Sequence, residues 1–588
     1  MAARSLAPAL AVAALSAALA TAAAARAEGE PPPQGPAAPL FAPELSDMPE
    51  GFPGDIVVDL RDDASPGDIA AVEREYGVDL VAASDFSDAV DKLELARVEP
   101  SRVAALLERL RGDARVEVAE PLRVLWASFA PNDPLYESKQ WHLRHVGAER
   151  AWSYGCGAGV TVAVVDTGVA CFDSGPFAKG TDLAGTRCTP GYDFVRNQKE
   201  ASDDQGHGTH VAGTIAQTTH NGMGAAGLAF CASLMPIKVL TRHGWGTSAA
   251  VAQGIRYAAD HGAQIINLSL GGNQPSRIIE RAVAHAQRRG ALVVAAAGNS
   301  GRAVGWPAAY PGVVAVSATG SDDKIAWFSS RGPEVAIAAP GVEVTQQTVC
   351  DAGRNRCEIF GTFSGTSMAS PHVAGAAALV MGLGVTDPEA VKGALFASAR
   401  PRDDASLYGA GVLDAGAAVA RTFGVRLVLR LLALVALAIA VAKRIRRRGG
   451  QMPRSASFVV AALAGATGIA PFLPLTGMPL GAGPVRTAFE LAARPFAEWG
   501  LLLGAGVQRW LPLGNAAPAL ALAALLFGAR RLRPVVGGFA LGSAAYLTHL
   551  AFVADVAFPL GGTALRVWAG LHALVCVWLA RVASDTKP

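Results

Sequence analysis

The spacing of apolar residues changes several times along the chain, and each change predicts a different kind of structure. Residues 6–20 are almost wholly apolar behind a single Arg4, whereas residues 31–53 are Pro-rich and too polar to bury a core. From Asp55 the pattern shortens into strands at 55–60, 78–83, 89–98 and 115–126. Between them run helices at 65–76, opened by Ser65-Pro66, and at 100–110, with Val103, Leu106, Leu107 and Leu110 on one face. The order βαββαβ is a ferredoxin-like arrangement. Further on, residues 160–165 are continuously apolar but for Thr161, as a strand covered on both faces should be. Strands are likewise expected at 233–239, 264–268, 292–296 and 313–317, with helices at 248–261 and 276–289.

Beyond Arg421 the apolar stretches lengthen. Residues 427–442 are apolar but for Arg430 and end in Lys443-Arg444-Ile445-Arg446-Arg447-Arg448, a stop-transfer signal. Further apolar segments lie at 456–475, 511–529, 535–558 and 563–580. Residues 489–510, interrupted by Glu490, Arg494, Glu498 and Arg509, read as an interfacial helix in place of a sixth span. Membrane lipid is therefore an expected partner of this region.

Composition agrees with a chain of more than one domain, part of it in lipid: 588 residues, 51% hydrophobic and 17% charged. A net charge of +2 without a basic, aromatic-interleaved patch excludes a nucleic-acid partner. Arg4, the apolar run and Ala25-Arg26-Ala27 form a secretory leader over residues 1–27, followed by the Pro-rich linker at 28–53. The rest then meets an oxidising environment, which suits the even number of cysteines before the membrane region. Cys350 and Cys357 flank a turn-rich stretch and are expected to pair, with Cys171–Cys188 next and Cys156–Cys231 as the remainder.

The chemistry lies in residues 131–420. Asp166 sits at the C-terminal end of the 160–165 strand, where groups of open α/β sheets gather at sites, followed by Thr167-Gly168. Gly206-His207-Gly208-Thr209-His210 presents an imidazole at a helix start among small residues. A metal pair of His207 and His210 lacks a third ligand, which leaves His210 and His372 as packed or supporting histidines. Gly365-Thr366-Ser367-Met368-Ala369-Ser370-Pro371-His372 opens an Ala-rich helix; Ser367 is either its cap or a nucleophile beside free backbone N–H groups.

Through VAVVDTGV, GHGTHVAG and GTSMASPHVAG, in that order, the sequence resembles the subtilisin-like serine proteases over about half of its length. The resemblance implies Asp166, His207 and Ser367 as the triad, with no cofactor in catalysis. It makes Asn299, within Ala295-Ala296-Ala297-Gly298-Asn299-Ser300-Gly301, the oxyanion donor, and Ser269-Leu270-Gly271 the strand on which a protein or peptide substrate lies. Gly305 becomes the floor of a roomy specificity pocket. The expected fold is α/β, a three-layer domain with a mainly parallel sheet, preceded by a ferredoxin-like α+β module and followed by an all-α transmembrane region. Residues 54–126 then become a propeptide that inhibits its own enzyme until it is removed, with self-cleavage between Leu125 and Pro131; an independent binding module is the alternative. Asp133, Asp182 and Asn221 resemble a structural calcium site, although an insertion at 171–179 interrupts the family pattern nearby.

With the protease domain outside, the 443–448 cluster is cytoplasmic, and five spans over residues 425–588 place the C-terminus in the cytoplasm of a multi-pass cell-membrane protein. Arg430, His549, Asp555 and Arg566 are the intramembrane candidates of this region, read either as a transport path or, near span ends, as snorkelling side chains. An anchor or partner-binding module is expected ahead of peptide-driven transport. The intact triad argues against a pseudoprotease scaffold.

Overall fold

The computed structural model describes residues 51–84, 86–123, 130–471, 473, 484–503, 515–558 and 561–585. The leader and most of the Pro-rich linker lie outside the described residues. The chain forms two compact units, one over Arg26–Ala127 and the other containing Ser128–Pro588.

In the first unit, β1 (Gly51–Leu60), β2 (Val81–Ala82), β3 (Leu93–Arg97) and β4 (Val116–Arg123) form one antiparallel sheet in the order β2-β3-β1-β4. The helices Pro66–Tyr76 and Val103–Leu110 bury Val72, Leu106, Leu107 and Leu110 with Ile56, Val58 and Leu60. Ser65 opens the first helix as a capping box: its Oγ accepts from the Asp68 N–H, and Asp68 accepts from the Ser65 N–H. The strand expected at 89–98 starts only at Leu93. Ser84 Oγ accepts from the Ser87 N–H and turns 87–91 into a short helical segment instead.

In the second unit, seven strands pair in parallel: β5 (Thr161–Asp166), β6 (Tyr192–Asp193), β7 (Ser233–Lys238), β8 (Ile265–Leu268), β9 (Leu292–Ala296), β10 (Val314–Thr319) and β11 (Val335–Pro340). Their order is β11-β10-β9-β8-β5-β7-β6, and a hairpin of β12 (Val344–Gln347) with β13 (Phe360–Phe363) lies outside this sheet. Along β5, Val162 and Val164 enter one core while Ala163 and Val165 enter another. This is why its sequence shows no polar alternation. The helices His207–Ala216 and Thr366–Gly382 fill the first core, and Ser248–Asp260 and Arg277–Arg288 the second. The strand order reverses at β5, so the C-terminal end of β5 faces a crevice.

All three expected cysteine pairs are joined: Cys156–Cys231, Cys171–Cys188 and Cys350–Cys357. After them, Ala415–Arg446 is a single 32-residue helix that begins inside the first core of the parallel-sheet domain with Ala415, Ala418 and Val419 and continues into the apolar region. Among the described residues it is one of three helices long and apolar enough to cross a membrane, the others being Arg530–Val553 and Gly561–Ser584. The apolar segments expected at 456–475 and 511–529 give shorter helices, Ala456–Thr467 and Ala517–Leu526. Their described lengths fall below the roughly 20 residues a span needs. The segment expected at 489–510 is divided between Pro484–Ala493 and Trp499–Leu503, and residues 504–514 lie outside the described residues. Arg430 and Asp555 do not snorkel but are buried in ion pairs. Arg566, on the exposed side, donates to the carbonyls of Ala551 and Phe552 at the end of the preceding helix.

Candidate active site

The reversal at β5 delivers Asp166, fully buried, beside the first turn of the His207 helix. His207 Nδ1 lies 2.7 Å from Asp166 Oδ1, which also accepts the Thr167 N–H. This approach depends on two glycines. A Cβ on Gly208 would lie 2.1 Å from the Gly168 carbonyl oxygen and 3.1 Å from the Asp166 Cβ. Gly168 itself has φ +103°, and a Cβ there would meet the Ser202 carbonyl at 2.6 Å.

Asp203, absent from the sequence-based expectations, organises the same helix start. Its carboxylate accepts the N–H groups of Gln205, Gly206 and Thr209 and the hydroxyls of Thr167 and Thr209. Thr167 Oγ1 in turn accepts the Gly208 N–H at 2.9 Å, so strand end and helix start are tied through one carboxylate. Burial opposes the charged form of His207, but the Asp166 charge, their hydrogen bond and the Asp203 charge outweigh it and hold the imidazole pKa above its ordinary value.

Ser367 stands in the first turn of the helix Thr366–Gly382. Its Oγ donates to the Ser269 carbonyl at 3.2 Å, and the Ser269 hydroxyl donates to the Ser367 carbonyl at 2.8 Å. Asn267 continues the lattice, donating to Ser269 Oγ and accepting from the Ser370 hydroxyl. Among the described residues no hydrogen bond joins Ser367 Oγ to His207. Such bonds are often made only when a substrate is in place.

Asn299 follows β9, and its Oδ1 accepts both the N–H and the hydroxyl of Thr366 at 2.9 Å. Thr366 Oγ1 also accepts the Gly298 N–H, locking the carboxamide. A Cβ on Gly365 would lie 3.3 Å from Asn299 Nδ2 and 3.7 Å from the Ser367 backbone nitrogen. Both N–H donors thus border one space that a side chain at 365 would occupy. Ser269, Leu270 and Gly271 leave the end of β8, and the next residue, Gly272, exchanges two backbone hydrogen bonds with Trp306. A Cβ on Gly305 would stand 3.1 Å from the Gly272 carbonyl oxygen, so the strand and the Gly305 segment lie side by side.

The remaining histidines are spoken for. His210 Nε2 faces the carbonyls of Val344 and Gly361 and its ring stacks on Phe363; burial pushes its pKa down to about 3. His372, held down to about 4 by burial, faces His142 at 2.7 Å and the Met368 carbonyl.

Asp133, Asp182 and Asn221 come together despite the insertion. Asn221 Nδ2 donates to Asp182 Oδ1 at 2.7 Å, and Asp133 accepts the His220 N–H at 2.7 Å and the Asn221 N–H at 3.5 Å. Both carboxylates are buried, and no Lys or Arg pairs with either among the described residues. Burial raises the Asp133 pKa and pushes Asp182 up to about 7, with the nearby Asp133 charge adding to the latter.

Comparison with known proteins gives a consistent result. The profile of the subtilase family matches residues 157–423. The thermophilic serine proteinase of Bacillus sp. (strain AK1) is 38% identical over 333 residues, 56% of this chain and 78% of that protein. Thermitase of Thermoactinomyces vulgaris is 42% identical over 259 residues, 44% of this chain and 87% of its own. Among solved structures, a protease of Pseudoalteromonas arctica is 32% identical with a TM-score of 0.45, covering 50% of this chain and 99% of that one.

Proposed function

This chain belongs to the subtilase family of serine endopeptidases, and we propose that it works outside the cytoplasm, anchored in the cell membrane and made as a self-processed zymogen. The observation that carries the catalytic part is the 2.7 Å contact between His207 Nδ1 and Asp166 Oδ1. With Nδ1–H committed to the carboxylate, Nε2 is left as the basic nitrogen. The Ser367 hydroxyl leaves the Ser269 carbonyl by rotating about χ1, gives its proton to Nε2 and attacks the substrate carbonyl. Asn299 Nδ2 and the Ser367 N–H receive the developing oxyanion. His207 then returns the proton to the leaving amine, and water hydrolyses the acyl-enzyme by the same path. The substrate lies along Ser269-Leu270-Gly271, with its primary side chain over Gly305, where the missing Cβ leaves room for a large apolar group.

Asp133, Asp182 and Asn221, whose oxygens accept N–H groups in this structure, would be the residues to hold a structural calcium ion. Two buried carboxylates without a side-chain cation make a costly pair, and a hard divalent ion on oxygen donors would relieve their repulsion. Bound there, the ion would stabilise the fold and take no part in the reaction.

Three apolar helices, the basic run at 443–448 and three disulfides support the membrane-anchored, extracytoplasmic reading, with the C-terminus opposite the protease domain. The βαββαβ unit just ahead supports the propeptide reading. Cleavage between Leu125 and Pro131 separates it, and it inhibits until degraded. One experiment tests these steps: wild type and Ser367→Ala, expressed alone, are treated with a fluorophosphonate and their N-termini sequenced. Wild type is expected to label and to carry a new N-terminus between 125 and 131, and Ser367→Ala to do neither. Undiminished proteolysis by Ser367→Ala overturns the catalytic assignment; an uncut but active wild type overturns the zymogen reading alone.

A further inference from the structure

Where the protease core meets the apolar helices, the chain encloses a group of charges that peptide hydrolysis does not use. Arg426 and Arg430, one turn apart on Ala415–Arg446, both donate to Glu498 Oε1, at 2.8 and 2.5 Å. Arg426 also pairs with Asp555. On the neighbouring helix Pro484–Ala493, Glu490 accepts from Arg486 at 3.2 Å and from Arg494. Every one of these side chains is at least nine-tenths buried.

Four guanidinium groups here face three carboxylates, a surplus of one buried positive charge among the described residues. Arg426 Nε, Arg430 Nε and Arg494 Nη1 have no hydrogen-bond partner there. An uncompensated buried charge costs several kcal/mol, so the arrangement calls for an anion. There is space for a small anionic group: a cavity of about 50 Å³, measured as room for the centre of a water-sized molecule, is lined by all four arginines and by the apolar side chains of Leu383, Phe423, Leu427 and Phe489.

Depth identifies the ligand. Taking the basic run from Lys443 as the inner surface, Arg430 stands about 20 Å and Arg426 about 26 Å above it at the helical rise. A hydrocarbon layer of about 30 Å then puts Arg426 about 4 Å and Arg430 about 10 Å inside its outer face, nearer the outer than the inner headgroups. We propose that this cavity binds the phosphate headgroup of an anionic phospholipid from the outer leaflet, its acyl chains lying along the Phe423, Leu427 and Phe489 side. Guanidinium groups suit phosphate because they offer paired donors at fixed geometry and remain charged when buried. The proposal rests on the membrane-anchored reading.

The test uses the full chain carrying Ser367→Ala, to prevent self-digestion, purified in a neutral detergent. Retention in the membrane fraction after an alkaline carbonate wash checks the anchoring independently. Thermal unfolding is then followed with dihexanoyl phosphatidylglycerol, dihexanoyl phosphatidylcholine or inorganic phosphate. Saturable stabilisation of several degrees by phosphatidylglycerol alone is expected. Arg486→Gln and Arg494→Gln should each weaken the apparent affinity at least about tenfold, whereas Arg531→Gln, on an exposed turn, should not. Ala493→Trp keeps every charge but fills the cavity, and should also abolish the shift. Equal stabilisation by phosphatidylcholine, by phosphate alone or by none of the three overturns the proposal, as does an Ala493→Trp protein that still responds. A chain released by carbonate overturns the anchoring instead.

Discussion

Gly208 and Gly168 touch so closely that a methyl group on the first would lie 2.1 Å from the carbonyl oxygen of the second. Backbone stands on the far side of this contact and cannot rotate away. Gly208→Ala should therefore push the His207 helix off the end of β5 and lengthen the His207–Asp166 contact. A displacement near 1 Å at a reacting group costs about 10²-fold, so kcat/KM on a peptide substrate should fall by about that factor. The melting temperature should fall as well, by the equivalent of about 1–3 kcal/mol for an overpacked site. Near-normal activity in this variant would show that the approach is not needed.

The pH profile should report the same contact. His207 must be neutral to act as a base, and Asp166 holds its pKa above the ordinary 6.5. The acid limb of kcat/KM is therefore expected above pH 6.5, with activity falling as pH drops through the folded pKa. Asp166→Asn removes the charge that raises it, so the limb should move to lower pH while the plateau drops by about 10⁴-fold. A limb unchanged in Asp166→Asn would mean that another group controls it.

Thr366 offers a subtler test. Its hydroxyl bridges the Gly298 N–H and Asn299 Oδ1, and Val has nearly the same shape without that bridge. Thr366→Val keeps the backbone N–H on Asn299 Oδ1 but should loosen the carboxamide and lower kcat by up to about tenfold, with KM little changed, because the oxyanion forms only on the way to the transition state. Direct loss of the donor in Asn299→Ala should cost more, about 10²–10³.

The Asp182 carboxyl makes a prediction about stability. Its folded pKa, about 7, lies above the ordinary 3.8, so the folded state holds its proton longer than the unfolded one. The associated stability is fully present below about pH 3.8 and is lost as pH rises through about 7. In a chelator, wild type should lose more stability than Asp182→Asn between pH 4 and 7. Calcium should restore the loss in wild type and act weakly on the variant. Equal pH dependence of the two proteins in chelator would contradict the assignment.

How far the sequence reveals all this depends on the separation of the parts. β5 is legible because its two faces enter two cores, and Gly208 because small residues at the start of the His207 helix mark a contact too tight for a side chain. Cys350 and Cys357 are close in sequence and were expected to pair. Asp203 is not legible: in Asp203-Asp204-Gln205 nothing distinguishes the carboxylate that collects five donors from its neighbour, which instead pairs with Lys238 and Arg196. β6, two residues long, carries too little pattern to be found. The union of Arg426 with Glu498 and Asp555 joins residues far apart in the chain, each of which looks like an interruption of its own apolar segment.

The helix Ala415–Arg446 has one more consequence. At about 1.5 Å per residue it is close to 48 Å long, whereas a hydrocarbon layer takes about 30 Å. Part of the excess is already committed, since Ala415, Ala418 and Val419 are packed inside the protease core. On the proposed membrane anchoring, this continuous helix leaves little slack between enzyme and bilayer, so the catalytic cleft would be carried as on a mast rather than on a leash. Its radius of action is then set by lateral diffusion in the membrane plane, and a protein is within reach only if its cleavable segment passes at that one fixed height.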